Sequence, residues 1–168
     1  MAYYEDLSRC DYFDYWGLSE RLVAVGWLDN AHPFSTGIVS AEVMARLISF
    51  LKKPWDPSSF WGFHLCEICR PEGNTLRPNA SREEVAEELS RELRQFPEIP
   101  DLGNVNLFIP VPDSLDVYVA PSLIVHYIRS HSYYPPSQFQ EALMKCPEMN
   151  SPSYLGQLRS RGLSADGR

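Results

Sequence analysis

The sequence has no excess of positive charge. It carries 15 Lys and Arg residues against 22 Asp and Glu residues, which is a formal net charge of −7 over 168 residues. Proteins that bind a nucleic-acid backbone concentrate Lys and Arg in order to displace the counterions of the phosphates. The composition therefore argues against nucleic acid as a partner.

Long hydrophobic runs and an export signal are lacking as well. A membrane-spanning helix needs about 18 or more consecutive apolar residues, and no such run occurs. The chain starts with Met-Ala-Tyr-Tyr-Glu-Asp, which is acidic where a signal peptide is basic. We therefore expect a cytoplasmic protein that has no membrane partner.

Glycine-dependent catalytic motifs are missing too. The sequence has 9 glycines, and neither G-x-G-x-x-G nor the Walker-type phosphate loop is among its segments. The G-x-S-x-G nucleophile elbow is also absent. These absences argue against a glycine-loop nucleotide enzyme and against an α/β-hydrolase.

Cysteine is sparse, with four residues in the whole chain. A chain of this length can bury a sizeable core without disulfides, and it shows no export signal, so disulfides are not expected. Cys10 and Cys146 are isolated and are predicted to be small buried apolar groups. Cys66 and Cys69 form a Cys-x-x-Cys motif, a spacing typical of metal binding or redox chemistry.

The pattern of apolar residues predicts an α+β fold. A β-branched run over residues 21–28 predicts a short buried strand, and the alternation over residues 104–120 predicts a hairpin around a Pro-Asp-Ser turn. Because strands and helices do not alternate strictly, we expect a small, mainly antiparallel sheet with about four helices, in a single domain over residues 1–150. Residues 151–168 are predicted to form a flexible C-terminal tail.

Helix starts can be read from capping residues and prolines. Ser40 is a good N-cap, residues 81–84 form a capping box, Pro121 suits the first position of a helix, and a Pro-Pro pair opens another. The first 20 residues are rich in aromatic side chains, which predicts an ordered arm. The predicted helices are 40–52, 81–96, 121–131 and a last one from 136 to about 147.

Two histidines late in the chain complete a candidate metal site with the cysteine pair. His126 and His131 have a spacing that suits two imidazoles on one zinc ion. Five residues of a regular helix turn about 500°, which leaves the two rings about 140° apart. Both rings can therefore reach one ion only if the last turn of the helix is loosened.

His64 adds a fifth candidate ligand. In an extended segment His64 and Cys66 point to the same side, so His64, Cys66 and Cys69 could bind one ion together with either His126 or His131. Zinc is the expected ion because it prefers four thiolate and imidazole ligands. One imidazole is then left over, either to orient a ligand by a hydrogen bond or to act as an acid or base.

Each candidate ligand also has a plainer interpretation. Cys66 and Cys69 could be a reducible disulfide pair, although no thioredoxin-like context surrounds them. His126 could be a core histidine on an apolar helix. His131 could interact as a cation with the C-terminal end of that helix.

The segments that hold these residues resemble a group of small uncharacterised bacterial proteins. Their Gly-Phe-His-x-Cys-x-x-Cys segment corresponds to residues 62–69, and their Ala-Pro, His-Tyr and His-x-Tyr-x-Pro-Pro elements lie within residues 120–136. Matching residues, including Val-Gly-Trp-Leu at 25–28, extend over most of residues 20–143. The resemblance implies a shared fold and no particular activity. This chain departs from the pattern in its helix over 81–96 and in Asn106, where an acidic residue is expected.

Three functions stay open at this point. The first is a structural zinc in a protein-interaction or pathway-accessory module. The second is a zinc enzyme with a metal-activated water, a small-molecule substrate, and Glu67 or the spare histidine as proton carrier. The third is a zinc-free binder of a small molecule or peptide, built on the tryptophans and tyrosines.

Overall fold

A computed structural model describes residues 2–14, 17, 20–55, 64–69 and 94–164. Within these ranges four helices and one three-stranded sheet make an α+β fold, as the sequence predicted. Most of the predicted helix over 81–96 lies outside the described residues. In chain order the elements are β1 (Leu22–Ala24), α1 (Ala41–Leu51), β2 (Asn106–Pro110), β3 (Val117–Pro121), α2 (Ile124–His131), α3 (Ser137–Lys145) and α4 (Pro152–Ser160).

The sheet has the strand order β1-β3-β2. β2 and β3 form the predicted antiparallel hairpin, with Asn106 opposite Pro121 and Pro110 opposite Val117. In the connecting turn Asp113 has a φ of 56°, a left-handed conformation that Asp tolerates better than most residues. β1 pairs with β3 in parallel, so the sheet is mixed and its longer pairing is antiparallel.

The strands are buried on both faces. All residues of β1 and β3 are buried, as are all of β2 except the half-buried Asn106. Helices α1, α2 and α3 pack together, and α3 also packs against β2. The described core is therefore a small sheet enclosed by helices and by the N-terminal arm.

The N-terminal arm covers the free edge of β1. Cys10 donates its backbone N–H to the carbonyl of Leu22, and Ala24 donates to the carbonyl of Ser8. The ring of Phe13 contacts the ring of Phe108 on β2 at 5.4 Å between centroids. These contacts confirm, for the described residues of the arm, the prediction that it is ordered.

The helix boundaries follow the capping residues with one exception. Ser40 accepts a hydrogen bond from the N–H of Val43 at the start of α1, as predicted. Pro136 precedes α3, also as predicted. Pro121 does not start α2, because it is the last residue of β3, and the helix begins at Ile124.

The region after residue 150 differs from the expected flexible tail. Ser151 caps α4 by accepting a hydrogen bond from the N–H of Tyr154, and Pro152 occupies the first turn. Tyr154 and Leu158 are buried, and the Tyr154 hydroxyl donates to the carbonyl of Phe108 at 2.7 Å. The buried side chains of Tyr154 and Leu158 thus hold this short polar segment as a packed helix.

Candidate metal centre

Four of the five candidate ligands converge on one point. The ligand atoms of Cys66, Cys69, His126 and His131 all lie within 4.8 Å of one another. Two of them come from the segment 64–69 and two from α2, so the group joins parts of the chain that are far apart in sequence. Thiol and imidazole groups in this arrangement could hold a metal ion.

The distances within the group suit a tetrahedral ion. Nε2 of His131 lies 3.3 Å from Sγ of Cys66 and 3.2 Å from Sγ of Cys69, and Nε2 of His126 lies 3.3 Å from Sγ of Cys69. A sulfur and a nitrogen bound to one tetrahedral zinc ion are about 3.5 Å apart, from the usual zinc–sulfur and zinc–nitrogen bond lengths. The side chains therefore need only small shifts to surround such an ion.

The end of α2 brings the two imidazoles together. The Tyr127 carbonyl accepts hydrogen bonds from the N–H groups of Ser132 and Tyr133, which are five and six residues further on. An α-helix closes with a spacing of four, so the last turn is widened. Ser132 then ends the helix with a φ of 55°. The widened turn is the loosening that the 140° separation of the two rings requires, and the ring centroids of His126 and His131 are 5.2 Å apart.

The cysteine segment is held in place by its backbone. The N–H of Cys69 lies 3.4 Å from Sγ of Cys66, as in a tight turn that carries both sulfurs on one side. The N–H of His64 donates to the carbonyl of Gly103 at 2.7 Å. A Cβ at Gly103 would lie 2.4 Å from the carbonyl oxygen of His64, and Gly103 also has a φ of 83°. Only glycine permits this close approach of the segment to the residues before β2.

His64 stands apart from the four grouped residues. Its side chain lines a small cavity next to Trp27, Asn106 and Pro121. Burial lowers the pKa of this imidazole below its ordinary value. The structure thus brings together Cys66, Cys69 and both histidines of α2, and it leaves His64 outside their cluster.

Gln95 orients the ring of His126, and the sequence analysis did not identify it. Its Oε1 lies 3.2 Å from Nδ1 of His126 and 3.3 Å from the Ser130 hydroxyl. Arg129 donates to the Gln95 carbonyl at 2.7 Å. An amide oxygen only accepts, so this contact favours the tautomer in which Nδ1 of His126 carries the proton and Nε2 directs its lone pair at Cys69.

The electrostatic environment favours neutral imidazoles. Burial, with a contribution from the charge of His131, lowers the pKa of His126 to about 4. Burial also lowers the pKa of His131. Burial raises the pKa of the Cys66 thiol to about 12. At neutral pH the histidines are ready to bind a metal, whereas the Cys66 thiol must release its proton to solvent when an ion binds.

The plainer interpretations can be compared with this geometry. None of the four cysteines forms a disulfide, so Cys66 and Cys69 are not a disulfide pair. His126 is 1% exposed, as a core histidine would be, yet its Nε2 faces Cys69 and not an apolar neighbour. His131 does end its helix, but its Nε2 also faces the two sulfurs.

A family model described as "Domain of unknown function (DUF7919)" matches residues 2–144. This range contains all four grouped residues and Gln95. No curated protein and no solved structure matches the chain. Among the described residues, no helix has the length and apolar character that crossing a membrane requires.

Proposed function

The chain belongs to the DUF7919 family, and we propose that it is a zinc-binding protein in which a structural zinc ion ties the segment 64–69 to α2. The observation that carries this proposal is the convergence of two sulfurs and two imidazole nitrogens within 4.8 Å of one another, with three sulfur–nitrogen distances of 3.2–3.3 Å. Zinc is the ion that this mixture of ligands favours.

A structural role follows from the number of ligands. Four protein ligands fill a tetrahedral zinc ion, whereas a catalytic zinc keeps one position for water or substrate. We therefore propose a protein-interaction or pathway-accessory module, with another protein as its partner. Four cysteines without a disulfide among them support a cytoplasmic, reducing location.

A zinc enzyme is the second candidate, and one observation favours it. Cys69 is exposed, while Cys66 and His126 are buried, so one side of the centre faces solvent. Glu67 lies between the two cysteines and is half-buried, in a position to serve as proton carrier. If Cys69 gave way to water, the ion would keep three protein ligands and gain a reactive position.

Metal content of ligand variants tests the proposal. We expect about one zinc ion per purified chain by elemental analysis, as a single tetrahedral site requires. Cys66→Ser and His126→Ala should each lose most of it. Two variants are matched controls: Cys146→Ser changes a buried thiol elsewhere, and His64→Asn changes the histidine outside the cluster. Equal zinc content in the ligand variants and the controls would refute the site.

X-ray absorption spectroscopy of the zinc-loaded protein then separates the two roles. Two sulfur and two nitrogen neighbours are expected for a structural ion. Loss of one sulfur neighbour, with an oxygen in its place, would favour the enzyme instead. Cobalt substitution provides a second readout, since thiolate charge-transfer bands should disappear in Cys66→Ser and persist in Cys146→Ser.

A further inference from the structure

A second cavity opens at the other end of the β2–β3 hairpin. The metal centre belongs to the end where Asn106 pairs with Pro121 and the chain enters α2. The cavity has a volume of about 290 Å³ and is lined at the opposite end of β2 by Pro110 and by the turn residues Pro112 and Asp113. The C-terminal parts of α3 and α4 supply its other walls. None of the residues that line this cavity is a candidate metal ligand.

A buried arginine lines this cavity, and no described residue supplies its counter-charge. Arg161 is 8% exposed, and it donates to the carbonyls of Gln157 at 2.9 Å and Val111 at 2.7 Å. Its Nε is buried and has no hydrogen-bond partner. Among the described residues no carboxylate lies within ion-pair distance of Arg161. Only two of the five N–H donors of this guanidinium are therefore used.

The charge balance around the cavity is positive. Lys145 in the last turn of α3 lines the same space, and Arg21 donates to the Arg161 carbonyl at 2.8 Å. Asp113 is the one acidic side chain of the lining, and it is exposed. The carbonyls that Arg161 contacts carry only partial negative charge. A buried cation is costly without a paired anion, and within the described ranges no carboxylate pairs with this one, in a chain whose net charge is −7.

We propose that this cavity binds a small organic carboxylate. The carboxylate group would pair with Arg161 and Lys145 and, together with Asp113, balance their two positive charges, and the carbon chain would lie against Pro110, Pro112 and Ala142, which also line the space. A singly charged anion fits better than a phosphate dianion, because Asp113 repels the second negative charge. Arginine suits this role since its planar donor set matches the geometry of a carboxylate.

Nuclear magnetic resonance titration of the full chain tests this proposal with butyrate as the probe. The chemical shifts of the Arg161 Nε–H and Gln157 side-chain signals should change with added butyrate until they saturate. The expected dissociation constant is on the order of 1 mM. Lys145→Gln should weaken butyrate binding about fivefold or more, because one cation is lost from the cavity. Lys52→Gln changes the matching C-terminal lysine of α1 and should leave the affinity unchanged.

Three results would overturn the proposal. The first is the absence of saturation by about 50 mM butyrate, well above the expected dissociation constant. The second is an equal affinity of Lys145→Gln and Lys52→Gln for butyrate. The third is binding of butylammonium or inorganic phosphate in preference to butyrate. Lys145 is exposed, so its variant keeps the fold; Arg161→Lys, which keeps the charge and loses the planar donors, adds a second test and should also weaken binding.

Discussion

Gln95 shows how a residue outside a ligand set can control that set. Its amide oxygen can accept a hydrogen bond from Nδ1 of His126, which favours the tautomer whose Nε2 has no hydrogen and faces Cys69. Without this contact the buried ring could adopt the other tautomer, in which Nε2 carries the proton. A protonated Nε2 cannot bind a metal, so the proposed zinc affinity depends on Gln95.

Replacing Gln95 therefore tests the role of ring orientation. Gln95→Ala is expected to weaken zinc binding about 10- to 100-fold, as is usual when the partner of a ligating histidine is removed. The measurement is competition with a chromophoric chelator. Gln138→Ala, on the exposed side of α3, is the matched control and should keep the original affinity. Equal affinities in the two variants would show that Gln95 does not position the ring.

The sequence could not identify Gln95 because its role depends on distance and not on residue type. An isolated glutamine has no metal-ligand spacing, and it lies 31 residues before His126. His64 illustrates the opposite problem. Its spacing to Cys66 suggested a ligand, but its backbone bond to Gly103 places it outside the group of four.

At the scale of elements, α4 shows the limit of composition as a guide. The segment has few apolar residues and was expected to be a flexible tail. Its start signal was nevertheless present, since Ser151 followed by Pro152 is a good N-cap and first-turn pair. Two buried side chains are enough to hold α4 once β2 provides a surface.

Shortening a buried side chain of α4 measures how much the packing of this helix contributes to the free energy of unfolding. Leu158 is 1% exposed, and Leu158→Ala should lower the free energy of unfolding by about 2–4 kcal/mol through loss of buried surface and a residual cavity. Leu155→Ala on the same helix is the control. Leu155 is only partly buried, so its replacement should lower the free energy of unfolding by less. Urea denaturation gives both values. If the two costs were equal and near zero, α4 would not be packed as described.

At the scale of the whole molecule, most of the hydrophobic core lies outside the candidate metal centre. The core spans the sheet, all four helices and the N-terminal arm, and in the segment 64–69 it includes only Cys66, with Ile68 packed against it. Small zinc-finger domains unfold without their ion because they have no such core. We therefore expect this chain to stay folded without zinc, at reduced stability.

Removing the ion from the zinc-loaded protein with a chelator tests whether the chain stays folded without it. At a free zinc concentration about 1,000 times the dissociation constant, the ion adds about 4 kcal/mol of stability, and its removal should lower Tm by about 10 °C. Far-ultraviolet circular dichroism should change little, because most of the helices do not depend on the ion. Cys66→Ser is the control, and its Tm should not respond to the chelator. Complete loss of helical signal on chelation would contradict an independent core.

The sequence alone determined the features that depend on neighbouring residues. Alternating apolar residues predicted the β2–β3 hairpin, Ser40 predicted the start of α1, and the Cys-x-x-Cys and His-x4-His spacings identified the four residues that meet in the candidate metal centre. These features are local, so a few consecutive side chains decide them.

Only the tertiary structure decided how distant parts of the chain meet. It paired β1 in parallel with β3, packed α4 on β2, widened the end of α2, and separated His64 from the other candidate ligands. Each outcome depends on contacts between residues far apart in sequence, such as the bond from His64 to Gly103. Such contacts are selected by the packing of the whole core, and no local pattern of residues encodes them.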